Sequence, residues 1–297
     1  MIEEWGYGKI NLALEITGRR DDGYHTIDTV FQSVSLRDRI QLERSDQFQL
    51  TCSNPQLACD ESNLAYRAFA ALKSYYSGPH GVTIHIDKQI PLAAGLAGGS
   101  TDCAAVLRGL NRLWNLGLST EALCRIGASL GADVPFCICG GTMRGTGIGD
   151  VLQLLPSLPD WEVLILHPHV PVYTGRAYAL FDEHPTQLRP VAVDAVVTAA
   201  EKRDWTALIR SMGNTFEELV IPGVPQIDIC RQLLRQQGLR PLMAGSGPTV
   251  FAVVPPERDG TMLYRQICQE AAQQAIGIDV YQCTLVRGDN NSYDENG

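Results

Sequence analysis

The 297-residue chain is 45% hydrophobic and 19% charged, an ordinary globular balance with length enough for one large or two medium domains. A net charge of −9 argues against a nucleic-acid footprint, which needs a basic face to release phosphate counterions, and no run of residues approaches a membrane span. The acidic start Met1-Ile-Glu-Glu-Trp5 lacks the basic and apolar regions of a secretory signal, so the nine cysteines, with no CxxC pair among them, read as thiols of a cytoplasmic protein.

In chain order, residues 8–16 alternate, with Ile10, Leu12, Leu14 and Ile16 on one side and Lys9, Asn11, Ala13 and Glu15 on the other. That is the pattern of a half-buried strand, and it puts Lys9 and Asn11 on one face. Thr26 to Leu36 and Arg39 to Cys52 continue as β segments with a turn at Ser45-Asp46, residues 63–76 read as a helix, and Val82 to Asp87 as a strand. Pro91-Leu-Ala-Ala-Gly-Leu-Ala-Gly-Gly-Ser-Thr-Asp102 follows, and after it Cys103, Val106, Leu107, Leu110, Leu113 and Trp114 take helical spacing. A second helix is expected over 121–130, stopped by Gly131, and a strand through Asp133-Val-Pro135 to Cys139, which would set Cys137 and Cys139 on one side as small core residues. Beyond Pro156 and Pro159 a new region opens with a strand at Trp161 to Leu166, apolar helices near 192–211 and 226–237, a glycine turn at 245–247 and a strand at Thr249 to Val254. These elements make an α+β chain, divided into 1–157, 158–286 and a polar tail 287–297 expected to be disordered.

The stretch Pro91 to Asp102 has the chemistry of a phosphate cradle. Gly95, Gly98 and Gly99 allow backbone amides to approach an anion, and the helix that opens there points unpaired N–H groups and a positive dipole end at it. A tight turn capped by Ser100 or Asp102 is the plainer alternative. The loop lacks the lysine of a P-loop, and neither Gly6-Tyr-Gly8 nor Gly145-Thr-Gly-Ile-Gly149 completes a dinucleotide fingerprint, so both read as turns. His167-Pro-His169 has no cysteine or carboxylate close by and reads as an exposed strand end, not a metal site.

Three separated stretches, the Lys9 strand, the Pro91 to Asp102 loop and Met243-Ala-Gly-Ser-Gly-Pro-Thr249, together resemble the GHMP kinase superfamily. Gly8-Lys-Ile-Asn-Leu12, Asp22-Gly-Tyr-His25 and Gly131-Ala-Asp-Val-Pro135 resemble in particular the branch that phosphorylates 4-diphosphocytidyl-2-C-methyl-D-erythritol. The resemblance implies a two-domain GHMP kinase fold, a ribosomal-S5-domain-2-like N-terminal half beside a ferredoxin-like C-terminal half. It implies ATP and Mg²⁺ as cofactors, and phosphoryl transfer to the 2-hydroxyl of a small-molecule substrate that carries a cytidine diphosphate group.

By match to the family motifs, Lys9 and Asp133 are the catalytic pair, Asp133 as base or orienting carboxylate and Lys9 as the cation balancing developing charge. Outside that context the same pair would be a buried salt bridge. Pro91, Ala94, Gly95, Leu96, Ala97, Gly98, Gly99, Ser100 and Thr101 would wrap the ATP phosphates, with Ser100 or Thr101 offering a hydroxyl to phosphate or Mg²⁺ and no dedicated protein metal site. Ala94 and Ala97 stand where the family often has glycine, which is tolerable if their φ is negative. Tyr24 and His25 would stack on and hydrogen-bond the cytosine, Tyr178 would be the second aromatic of a sandwich, Pro171 and Thr174 pocket neighbours, and Asn11 would face the methylerythritol hydroxyls. Gly245 and Ser246 would shape the cleft; Asn63 and Lys88 are candidates for adenine contacts. Two alternatives stay open: a GHMP kinase for homoserine or a mevalonate-type substrate, and a non-catalytic RNA-binding module on an S5-like fold.

Overall fold

The computed structural model describes residues 1–184 and 188–288; most of the tail expected to be disordered, 289–297, lies outside the described residues. Two long strands, β1 (Ile2–Arg19) and β2 (His25–Arg44), form an antiparallel pair running from Ile2 opposite Leu42 to Arg19 opposite His25, with the register shifting between Tyr7 and Lys9, Asn11 and Ala13, and Ile16 and Gly18. Their turn is the Asp22-Gly-Tyr segment. Gly23 takes φ +88°, Asp22 Oδ1 accepts the Tyr24 amide at 3.1 Å, and the Arg20 amide donates to the Tyr24 carbonyl at 2.7 Å. Tyr24 and His25 are thus held at the tip of the hairpin.

Four more strands and four helices complete the first half. These are β3 (Gln49–Cys52), α1 (Leu64–Lys73), β4 (Val82–Asp87), α2 (Gly98–Leu113), α3 (Thr120–Ala128), α4 (Val134–Cys139), β5 (Thr142–Thr146) and β6 (Val151–Leu154). Asn63 caps α1, its side chain accepting the Ala65 amide. β2 serves two neighbours, β4 along residues 39–44 and β5 along 29–32. Together with β8 (Gly213–Asn214), which the second half supplies, the sheet runs β3-β4-β2-β1-β8, with the β5-β6 hairpin off the start of β2.

The second half holds β7 (Glu162–Pro168), α5 (Thr174–Glu183), α6 (Val193–Lys202), α7 (Trp205–Ser211), β8 (Gly213–Asn214) and α8 (Phe216–Val220). It ends with α9 (Pro225–Gln236), β9 (Leu242–Met243), β10 (Val250–Val253), α10 (Gly260–Gln273) and β11 (Ile278–Thr284). Its four-stranded sheet, among the described residues, runs β11-β7-β10-β9. The chain does not keep the halves apart: β8 returns to pair in parallel with β1, and one hydrophobic cluster joins Ile10, Leu12 and Val30 to Val163, Ile165 and Phe251.

Several elements depart from the alternation and spacing of the sequence. Residues 8–14 of β1 are buried on both faces because α2 packs on the strand while the second half closes from the other side, so the half-buried pattern does not hold. Gly6 and Gly8 lie inside β1 rather than in a turn. A Cβ at Gly6 would stand 3.0 Å from the Thr101 carbonyl, so this glycine lets α2 approach the strand. Phe136 to Cys139 are helical, not extended: Pro135 sits in the first turn of α4, where its missing N–H costs nothing, and four consecutive apolar residues fit a buried helix as well as a buried strand. The 192–211 segment is two helices, broken at Arg203 with φ +52° and restarted by Asp204, which caps α7. His167 is 6% exposed and hydrogen-bonds Thr249 Oγ1 at 2.9 Å, a core residue rather than an exposed strand end. At the tail, Arg287 is anchored by Asp160 at 3.0 Å.

Candidate functional site

A cavity of about 990 Å³ opens between the hairpin tip, the glycine loop, α5 and the 244–247 turn. Its centre is built on β1. Lys9 is 5% exposed; its Nζ donates to Asn11 Oδ1 at 3.0 Å, lies 3.7 Å from Asp133 Oδ2 and stands 5.4 Å over the Phe31 ring. Asn11 Nδ2 donates to Thr29 Oγ1 at 2.8 Å, and the Thr29 hydroxyl donates in turn to the Ala13 carbonyl at 2.6 Å. The amide of Asn11 is thereby fixed, its oxygen toward the lysine. Asp133 stands at the start of α4 with its side chain 34% exposed, a carboxylate reachable from the cavity beside a nearly sealed cation.

The glycine loop is pinned to this centre from two sides. The Lys9 amide donates to the Leu96 carbonyl at 3.1 Å. Gly95, at φ +76°, meets the far turn so closely that a Cβ there would stand 2.4 Å from the Ala244 carbonyl oxygen. The same turn brings Gly245, at φ +54°, against the first strand, where a Cβ would stand 3.4 Å from Lys9 Nζ. The three separated stretches of the sequence therefore meet at Lys9.

Pro91, Ala94, Gly95, Ala97, Gly98, Gly99 and Ser100 all line the cavity. Leu96 and Thr101 do not: both are 1% exposed, Leu96 within the core between the halves, and Thr101 Oγ1 donates to the Gly98 carbonyl at 2.9 Å. The hydroxyl free to reach an anion or cation in the loop is thus that of Ser100. Helix α2 has no side-chain cap. Ala97 occupies the cap position at φ +60°, and neither Ser100 nor Asp102 closes the helix end, which leaves its amides for a ligand. The condition on Ala97 is therefore not met; it sits in the left-handed region at a cost of roughly 1–2 kcal/mol.

At the opposite end Tyr24, 63% exposed, stands at the rim, and His25, Thr174, Tyr178 and Ser246 line the wall. His25 stacks on Tyr178 with centroids 4.6 Å apart and planes 15° apart, so these two rings close on each other and leave no room for a third ring between them. Burial pushes the Tyr178 phenol up to about 12, leaving it a neutral ring. Thr174 Oγ1 is 3.0 Å from Ser246 Oγ, joining α5 to the 244–247 turn. Pro171 does not reach the cavity; it lies exposed in the loop before α5.

Asn63 and Lys88 both border the glycine loop. Lys88 is not a free ligand, however. Its Nζ is locked between Asp38 and Asp102, the latter at 2.9 Å, and Asp38 Oδ1 also accepts the Gln89 and Ile90 amides. Burial alone would lower the lysine pKa, but the two carboxylates override it and the net direction is up; burial raises that of Asp102 despite the lysine. This triad under the first turn of α2 was invisible in the sequence, where its three members are 14 to 64 positions apart and only Asp102 belongs to a motif, at the end of the glycine loop. Among the described residues no group of three potential ligands is placed to hold a metal by itself.

Residues 63–141 match the model for the GHMP kinases N terminal domain, and 196–273 that for the GHMP kinases C terminal region. The chain is 42% identical over 268 residues to the 4-diphosphocytidyl-2-C-methyl-D-erythritol kinase of Exiguobacterium sibiricum, covering 88% of this chain and 93% of that one. It belongs to this kinase family. A second member, from Moorella thermoacetica, is 45% identical over 251 residues, covering 83% and 88% of the two chains. A crystal structure of 4-(cytidine 5'-diphospho)-2C-methyl-D-erythritol kinase superposes with a TM-score of 0.79 at 31% identity, covering 97% of this chain and all of that one. The α+β two-part GHMP kinase fold expected from the motifs is the fold observed.

Proposed function

We propose that this kinase transfers the γ-phosphoryl group of ATP to the 2-hydroxyl of 4-diphosphocytidyl-2-C-methyl-D-erythritol, giving the 2-phosphate and ADP in non-mevalonate isoprenoid precursor synthesis. The observation that carries the reading is the joining of three chemistries in one cavity: a capless helix end behind a glycine loop, a lysine–aspartate pair, and an aromatic corner. Homoserine and mevalonate-type substrates have no base to occupy that corner. The net charge of −9 likewise weighs against an RNA-binding module.

The transition state of phosphoryl transfer is loose, so the protein's work is alignment and charge. The amides at the start of α2 and the Ser100 hydroxyl receive the phosphates. Lys9, held by Asn11 and Phe31, places a desolvated positive charge where the transferring group gathers electrons. Asp133 accepts the substrate hydroxyl in a hydrogen bond that aims its oxygen in line. An aspartate is too weak to deprotonate an alcohol before transfer, and takes the proton only as the new P–O bond forms. Ser100 is the cavity hydroxyl that would hold a Mg²⁺ ion brought in with ATP, and such an ion would supply charge neutralisation at the phosphates without a protein cage. We take the chain as two units, 1–157 and 158–286, working in the cytoplasm; among the described residues no helix is long and apolar enough to cross a membrane.

The test is Asp133→Asn. It keeps the side-chain shape and removes the proton acceptor, so kcat should fall by roughly 10²-fold or more while ATP binding stays within about threefold. An Asn variant turning over at the wild-type rate removes Asp133 from the reaction.

A further inference from the structure

Helix α5 puts four side chains on one face at helical spacing; Thr174, Tyr178 and Asp182 line the substrate end of the cavity, and Phe181 packs against its wall at His25. Thr174 meets Ser246, Tyr178 stacks on His25, Phe181 meets the same ring edge-on at 5.7 Å, and Asp182 accepts from its Nε2 at 2.7 Å. Asp182 is tied in turn to Arg19 of the neighbouring strand end at 3.2 Å. We propose that Asp182 is a positioning residue that fixes His25 as a hydrogen-bond acceptor at Nδ1, and so lets the site take a cytosine and refuse a uracil. The proposal rests on the cytidine reading of this site and adds the residue that sets its base preference.

The steps are stereochemical. A carboxylate only accepts hydrogen bonds, so the Nε2 it faces carries the hydrogen, and in the neutral ring the remaining nitrogen, Nδ1, bears the lone pair. Nδ1 has no partner among the described residues and is not among the sealed unpaired atoms, so it is open to a ligand. Tyr178 on its face and Phe181 at its edge leave the imidazole one plane. An acceptor in that plane matches the exocyclic amine of cytosine, a donor, and opposes the O4 carbonyl of uracil, an acceptor. A site built to satisfy one of two near-isosteric bases rejects the other through the unpaired group it would bury.

Calorimetric binding of CDP and UDP at about pH 8, where an ordinary imidazole is neutral, tests this with the wild type, Asp182→Ala and Arg19→Ala. The wild type should bind CDP roughly 10- to 100-fold more tightly than UDP, and Asp182→Ala should bring the ratio within about threefold. In turnover, the loss should appear as a raised KM for the cytidine substrate with kcat at saturation falling by less than about threefold. Arg19→Ala removes a charge from the same cluster but not the Nε2 partner, and should keep the preference. A full CDP preference in Asp182→Ala, or an equal loss in Arg19→Ala, overturns the proposal. If Asp182→Ala does not fold, the ¹⁵N spectrum of the wild type decides: His25 protonated at Nε2 supports the assignment, and protonation at Nδ1 overturns it. A wild type that does not bind CDP sinks the cytidine reading itself and this inference with it, whereas CDP preference undisturbed by Asp182→Ala sinks the inference alone.

Discussion

Gly95→Ala strikes the place where the phosphate loop and the 244–247 turn interlock. The residue has φ +76°, and an added Cβ would stand 2.4 Å from the Ala244 carbonyl oxygen and 2.8 Å from that of Gly247. Both neighbours are backbone, so neither can swing aside as a side chain would. The left-handed backbone costs roughly 1–2 kcal/mol for alanine, and forcing the loops apart about 1–3 kcal/mol more. The expected loss is about 2–5 kcal/mol, a melting temperature lower by roughly 5–15 °C at the slope typical of chains this size. Gly99→Ala is the matched control. Its Cβ would meet nothing closer than Leu64 Cδ1 at 3.7 Å, and it lies in the first turn of α2 at negative φ. Alanine there should leave stability equal or higher by up to about 1 kcal/mol. Thermal unfolding followed by circular dichroism reads both. Equal melting temperatures for the two variants would refute the interlocking of the loops; a low one for Gly95→Ala, with a raised KM for ATP, fits it.

Ala97→Gly relieves the strained cap position, and because glycine also loosens the unfolded chain by about 0.4–1 kcal/mol the net gain should be no more than about 1 kcal/mol. Denaturant unfolding checks it, and a loss above about 1 kcal/mol contradicts the strain. His167 gives a pH dependence. Burial, helped by His169, pushes its pKa down to about 4, so between the ordinary value of 6.5 and 4 the unfolded chain binds a proton that the native state refuses. Stability therefore falls as pH drops through that window, with about 2–3 kcal/mol lost by pH 4.5. In His167→Gln that part of the acid loss should vanish, and a variant with the same pH slope as the wild type would show that another group carries it.

The motifs were legible because each answers a local demand of the backbone. Asp22-Gly-Tyr-His25 is a turn with a side-chain acceptor and a positive-φ glycine, and it projects two rings; Gly95 and Gly245 stand where only glycine allows two loops to touch. Features set by distant packing were not. Four apolar residues after Pro135 fit either regular structure, and the packing of α4 on α2 and α3 decided for helix. The hydroxyls of Ser100 and Thr101 are equivalent in sequence, yet one faces the cavity and the other the Gly98 carbonyl because successive helical residues point about 100° apart. Asp182 carried a weak signal: it follows Thr174 and Tyr178 at helical spacing, but nothing local told that face from the exposed one.

The central claim is tested most directly by incubating the purified chain with ATP, Mg²⁺ and 4-diphosphocytidyl-2-C-methyl-D-erythritol and following ADP release alongside the ³¹P spectrum. The account predicts one ADP per new phosphomonoester, located on the 2-oxygen, and no comparable release with homoserine or mevalonate. ADP release with either of those substrates, and none with the cytidine compound, would contradict it.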